Sequence, residues 1–155
     1  MALTGGRQIV RDLWEAGARH GRVPEPTPEV DPWEDADPYG PPSELAVVFP
    51  GTPGFTVRLF LDSQDTITVE DSVDLEVPRS DTVAVAESLL SGQARLRVHR
   101  ANVIMRLIGV FTHNPMMADL VVRLPDGGRT YTAPVLQAYG QGAWVSRVPW
   151  EREPG

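Results

Sequence analysis

Residues 78–112 read PRSDTVAVAESLLSGQARLRVHRANVIMRLIGVFT, and a change of period inside this stretch decides the fold. Val85, Ala86, Leu89 and Leu90 recur at helical spacing, so residues 82–91 are expected to form a helix with one apolar stripe that packs on a sheet. Ser80 or Asp81 offers a side-chain oxygen to the free amides of the first turn. Gly92 can end the helix in the left-handed conformation that a Cβ penalises. Past Gly92 the period becomes two: Leu96 and Val98 share one face, and Arg95, Arg97 and His99 the other. That is a half-exposed strand with a basic outer side. Residues 103–111 are largely apolar on both faces and predict a buried strand, because their β-branched residues and Gly109 disfavour the alternative, a buried helix.

Working outward, short strand patterns alternate with turn residues. Upstream, strands are expected at 45–49, 55–61, 66–69 and 73–77, the first two separated by the turn cluster Pro50-Gly51-Thr52-Pro53-Gly54. Downstream, 118–124 and 129–134 flank Pro125-Asp126-Gly127-Gly128, the clearest hairpin signal in the chain, and 143–148 forms a last strand. Most links are too short for a parallel crossover. The fold class is therefore α+β and β-rich: a largely antiparallel sheet with one packed helix, over residues 44–150, with a loose tail at 151–155.

Two segments precede this domain. Within residues 1–22, Ile9, Val10, Leu13 and Trp14 line one side of a short amphipathic helix at 7–18, with Gly5-Gly6 limiting its start. Such a helix needs a surface, either its own domain or another chain. Residues 23–43, VPEPTPEVDPWEDADPYGPPS, carry six acids and no basic residue, with prolines too frequent for a helix or central strand. The arm reads as a stiff linker or, through Trp33 and Tyr39, as a binding segment with aromatic anchors.

Composition narrows the chemistry. The 155 residues carry a formal net charge of −7, which disfavours nucleic acid and anionic lipid and suits a cationic protein partner. All 14 basic residues are arginine, so Schiff-base, phosphate-loop and kinase-type lysine chemistry is excluded; the absence of cysteine removes thiol nucleophiles and thiolate metal sites. Arginine-only usage also fits the codon bias of a GC-rich bacterium or its phage. No apolar stretch resembles a membrane span or a secretory signal, which places the chain in the cytoplasm.

No nucleotide loop, serine-nucleophile elbow or paired-histidine motif is present, and His20, His99 and His113 are scattered. The acids between Asp62 and Glu76 miss the spacing of a calcium loop and are read as turns and outer faces of a hairpin. No cofactor or metal is expected. The function expected is non-enzymatic protein binding, as an adaptor, an immunity-type inhibitor or an assembly component. Its contact residues would be Leu13, Trp14, Trp33, Tyr39, Arg95, Arg97 and Arg100. The alternatives are a structural subunit that self-associates within a larger particle and a small enzyme with an unrecognised site. The arm is further expected to lie on the arginine face of its own domain or of an identical neighbour, with Trp33 as anchor.

Overall fold

The period-two alternation that begins at residue 45 is realised as a four-stranded antiparallel meander: β1 (Leu45–Phe49), β2 (Phe55–Leu59), β3 (Gln64–Val69) and β4 (Val73–Pro78). The computed structural model describes residues 2–25, 45–60, 62–98, 118–135 and 150–152. Every second residue of the meander, including Val47, Phe49, Val57, Ile67, Leu75 and Val77, points into the core, and Phe49 stacks on Phe55 with ring centroids 4.6 Å apart. The β3–β4 turn holds Glu70 and Asp71 at φ 51° and 55°, a conformation that side chains usually avoid. Glu70 is fixed there by Gly54, which donates its amide to the Glu70 carboxylate and accepts the Glu70 amide at its own carbonyl, both at 2.8 Å.

The helix after β4, α2 (Arg79–Leu90), begins three residues earlier than its apolar stripe predicts. Pro78 occupies the N-cap position with extended backbone angles, and neither Ser80 nor Asp81 caps the first turn. Proline sets the entry angle as β4 runs straight into the helix, and the Arg79 amide finds the Ser63 carbonyl at 2.9 Å. The C-terminal expectation holds: Gly92 has φ 72°, and the amides of Gly92 and Gln93 reach back to the carbonyls of Leu89 and Ser88. Val85, Ala86 and Leu89 are buried as the stripe requires, while Leu90 packs at the margin.

The second sheet contains β5 (Arg95–Val98), β6 (Ala118–Arg123), β7 (Thr130–Val135) and β8 (Trp150–Arg152), in the order β7-β6-β5-β8. The described residues thus form two sheets where the sequence reading has one, and α2 packs on β3, β4 and β6, spanning both. The β6–β7 hairpin lies where its turn residues place it, with Gly127 at φ 71°. The loose tail is corrected: Glu151 and Arg152 belong to β8, which pairs parallel with the edge of β5 left open by β6 and so satisfies its backbone groups. The strands expected at 103–111 and 143–148 lie outside the described residues.

The N-terminal helix, α1 (Ala2–Arg19), is longer than the 7–18 expected and runs through Gly5-Gly6. It packs on α2 and β1, and tertiary contact overrides glycine's weak helix propensity. Gly6 is buried, and a Cβ there would sit 3.4 Å from Leu45 Cδ1.

A buried ion pair locks the junction of β3 and α2. Asp65, 0% exposed, accepts Arg79 Nη2 at 2.8 Å and the Thr82 hydroxyl at 2.7 Å, and Arg79 also donates to the Phe60 carbonyl. Arg79→Met is expected to lower the unfolding free energy by about 3–5 kcal/mol, because it strands a buried carboxylate. Urea denaturation checks this, with Arg58→Met on the outer face as a control that changes stability far less.

Candidate partner-binding surfaces

Leu13 is corrected as a partner contact. Its side chain is 0% exposed and belongs to the core, as does that of Ala16, so the apolar side of α1 is spent on its own domain. Trp14 is half-buried beside it. An ion pair between Arg19 and Glu87 ties the end of α1 to α2, and Gly21 at φ 67° ends the helix with the Arg22 amide on the Gly17 carbonyl. Leu13→Ala should cost about 2–5 kcal/mol of stability, as a core truncation does, which denaturant melts of the full chain will register.

Arg95 and Arg97 share one side of β5, as alternation predicts, and both are half-buried; Val121, paired with Arg95 on that side, is fully buried, so this side is not the open outer face the sequence suggests. Arg95 Nη1 donates to the carbonyls of Gly92 at 3.0 Å and Ala94 at 2.8 Å, just past the negative end of α2. Arg97 stands in register with Asp119 on β6 and with Glu151 on β8, so acids occupy the paired positions on both neighbouring strands. Asp119 therefore sets a negative charge on the face that carries Arg97. Arg100, Trp33 and Tyr39 lie outside the described residues, as do His99 and His113. His20 is exposed just beyond α1. Among the described residues no group of three His, Cys, Asp or Glu side chains could hold a metal, and no helix is long and apolar enough to cross a membrane.

A second polar cluster joins the two sheets through α2. The Asp81 carboxylate accepts Tyr131 Oη at 2.5 Å and Arg129 Nη1 at 2.8 Å, while the Ser80 hydroxyl donates to its other oxygen. The Tyr131 hydrogen bond, helped by Arg129 and Ser80, holds the Asp81 carboxyl below its ordinary range against the opposing effect of burial. Burial, with the Asp81 bond next, pushes the Tyr131 phenol up. The arrangement keeps a proton on Tyr131 and a charge on Asp81, which suits a structural tie and gives no poised base.

Because the folded carboxyl titrates below its unfolded value of about 3.9, its stabilising contribution is complete above that pH and disappears as pH falls through the folded value. The stability gap between the protein and its Asp81→Asn variant is therefore expected to be constant near neutrality and to close below about pH 4. Urea melts over a pH series give the answer.

The acids of residues 62–76 do several jobs. Asp62 accepts the Gln64 amide at 3.0 Å in the turn before β3, Asp65 is buried, and Glu70 serves its turn. Asp74 and Glu76 are exposed on the outer face of β4. The register sets Asp74 opposite Thr68 and Glu76 opposite Thr66, then Thr56 and Arg58 on β2, then Val48 and Ala46 on β1. The Thr68 hydroxyl donates to Asp74 Oδ1 at 2.7 Å. The result is a pleated face with threonines on its central strands, acidic along β4 and carrying Arg58 on β2. Its signal was present in the alternation Asp74-Leu75-Glu76-Val77, but sequence spacing alone does not bring the threonines alongside. No protein-family model, curated protein or solved structure matches this chain.

Proposed function

We propose that the protein is a non-enzymatic protein-binding module, an adaptor, inhibitor or assembly component, and that it receives a cationic partner on the outer face of the β1–β4 sheet. The observation that carries this reading is the placement of Asp74 and Glu76, both exposed, beside a threonine-rich pleated face. The threonines beside β4 leave room for a partner to approach Asp74 and Glu76, and the carboxylates supply charge-assisted acceptors for Arg or Lys. The net charge of −7 acts in the same direction by steering basic molecules toward the chain. Absent lysine and cysteine leave amine and thiol nucleophiles out of the repertoire.

Selection of a random phage-displayed peptide library on the immobilised full chain tests the reading. Basic sequences should be enriched, and their binding should fall at least about threefold in the Asp74→Asn, Glu76→Asn double variant, in keeping with two rim charges of modest individual strength. Enrichment of neutral or acidic sequences, or equal binding by the double variant, would count against it.

A further inference from the structure

β4 is the last strand of the meander, and no other strand of the described fold pairs with its far edge. Which backbone groups face that edge follows from the ladder it forms with β3. One step beyond the pair Gln64–Pro78, the same register sets Ser63 opposite Arg79, whose amide donates to the Ser63 carbonyl at 2.9 Å. In an antiparallel ladder, directly bonded pairs alternate with unbonded ones. Counted in twos from Ser63–Arg79, the bonded pairs are Asp65–Val77, Ile67–Leu75 and Val69–Val73. Asp74 and Glu76 are therefore at unbonded positions, and their amides and carbonyls point away from β3. The bond of 2.7 Å from the Thr68 hydroxyl to Asp74 agrees, because side chains approach most closely at unbonded pairs.

The side chains decide what kind of strand this edge accepts. Asp74 and Glu76 are exposed on the outer face, while Val73, Leu75 and Val77 are buried. Outward backbone groups and exposed carboxylates thus coincide at the same two residues. A second copy of this edge would set carboxylate against carboxylate, which disfavours self-pairing. A strand with Arg or Lys at those positions meets opposite charge instead. β7 lies near β4, but no backbone pairing joins the two strands. The polar ties from Arg129 and Tyr131 go to Asp81, past the end of β4. Pro78, which has no amide, closes the edge at that end.

We infer that the cationic partner is held as an extended segment added to β4 as an antiparallel strand, with basic residues at alternate positions opposite Asp74 and Glu76. The inference rests on the reading of this sheet as a surface for cationic partners and specifies how the partner is bound. Asp74 and Glu76 each exchange two backbone bonds with the residue opposite, and paired residues share a face, so each basic side chain falls beside a carboxylate. The residue between them turns to the core side, level with Leu75. The pattern recognised is two basic residues separated by one other: main-chain bonds supply affinity, and the alternating charges supply selection.

Titration of the full chain with synthetic peptides, followed by NMR amide exchange, tests this. The probe is Thr-Val-Arg-Val-Arg-Val-Thr. One control brings the arginines together, Thr-Val-Val-Arg-Arg-Val-Thr, and the other keeps the probe sequence and charge but methylates both arginine amide nitrogens. In the free chain the Asp74 and Glu76 amides should exchange as an exposed edge does, and the probe should slow both by at least about tenfold. Each control should bind at least about tenfold more weakly, since methylation removes two donors aimed at β4 and adjacent arginines cannot share one face. Asp74→Asn with Glu76→Asn should weaken the probe at least about threefold. Amides already protected in the free chain, amides unaffected by bound probe, or controls that bind as well as the probe would overturn strand addition while leaving a cationic-partner surface in place. Failure of all three peptides to bind, or binding indifferent to the double variant, would remove that surface as well.

Discussion

One buried carboxylate organises the described fold. Asp65 is withdrawn completely from water, and its negative charge is tolerable only because Arg79, Thr82 and the Phe60 amide surround it. Those partners come from the end of β2 and the first turn of α2, so satisfying the charge fixes where the helix starts relative to β3. Replacing the set by apolar residues would cost little in principle, whereas losing one member strands the charge. The group therefore acts as a register pin between strand and helix.

The position of α2 carries that constraint onward. With its first turn fixed, Asp81 meets Tyr131 and Arg129 on the second sheet, and the buried Ser88 hydroxyl donates to the Arg123 carbonyl at 2.6 Å. Glu87, on the outer side, takes Arg19 from α1. Val85, Ala86 and Leu89 fill the space between with apolar contact, which supplies most of the favourable free energy while the polar ties set the geometry. Arg22 performs a similar service at the β1–β2 loop, where its guanidinium gathers the carbonyls of Pro50 and Pro53. Partial burial there pushes its pKa down and Glu70 opposes that shift.

The distribution of charge follows from these demands. Asp65, Asp81 and Glu70 are consumed inside the fold, Arg95 is taken up by helix-end carbonyls, and Asp119 stands in register with Arg97. What the protein presents outward, along β4, is negative. That outward negative charge is the ground on which we propose a cationic partner for the outer face of the β1–β4 sheet.

Local chemistry was enough to specify the individual elements. Strand patterns marked seven of the eight described strands, Gly92 marked the end of α2, and the Pro-Asp-Gly-Gly turn marked the β6–β7 hairpin, because each depends on backbone preferences or on a neighbour a few residues away. Tertiary structure decided the rest. It split the strands into two sheets, drew Glu151 and Arg152 into β8, carried α1 through Gly5-Gly6, and started α2 at Arg79 without a side-chain cap. It also sent Leu13 into the core and set Asp119 opposite Arg97, so that residues chosen as contacts by their type were claimed by the fold itself. The physical reason is common to all of these: a pairing edge, a burial partner or an opposing charge comes from residues remote in the chain, and no periodicity within a segment encodes which remote residue will arrive.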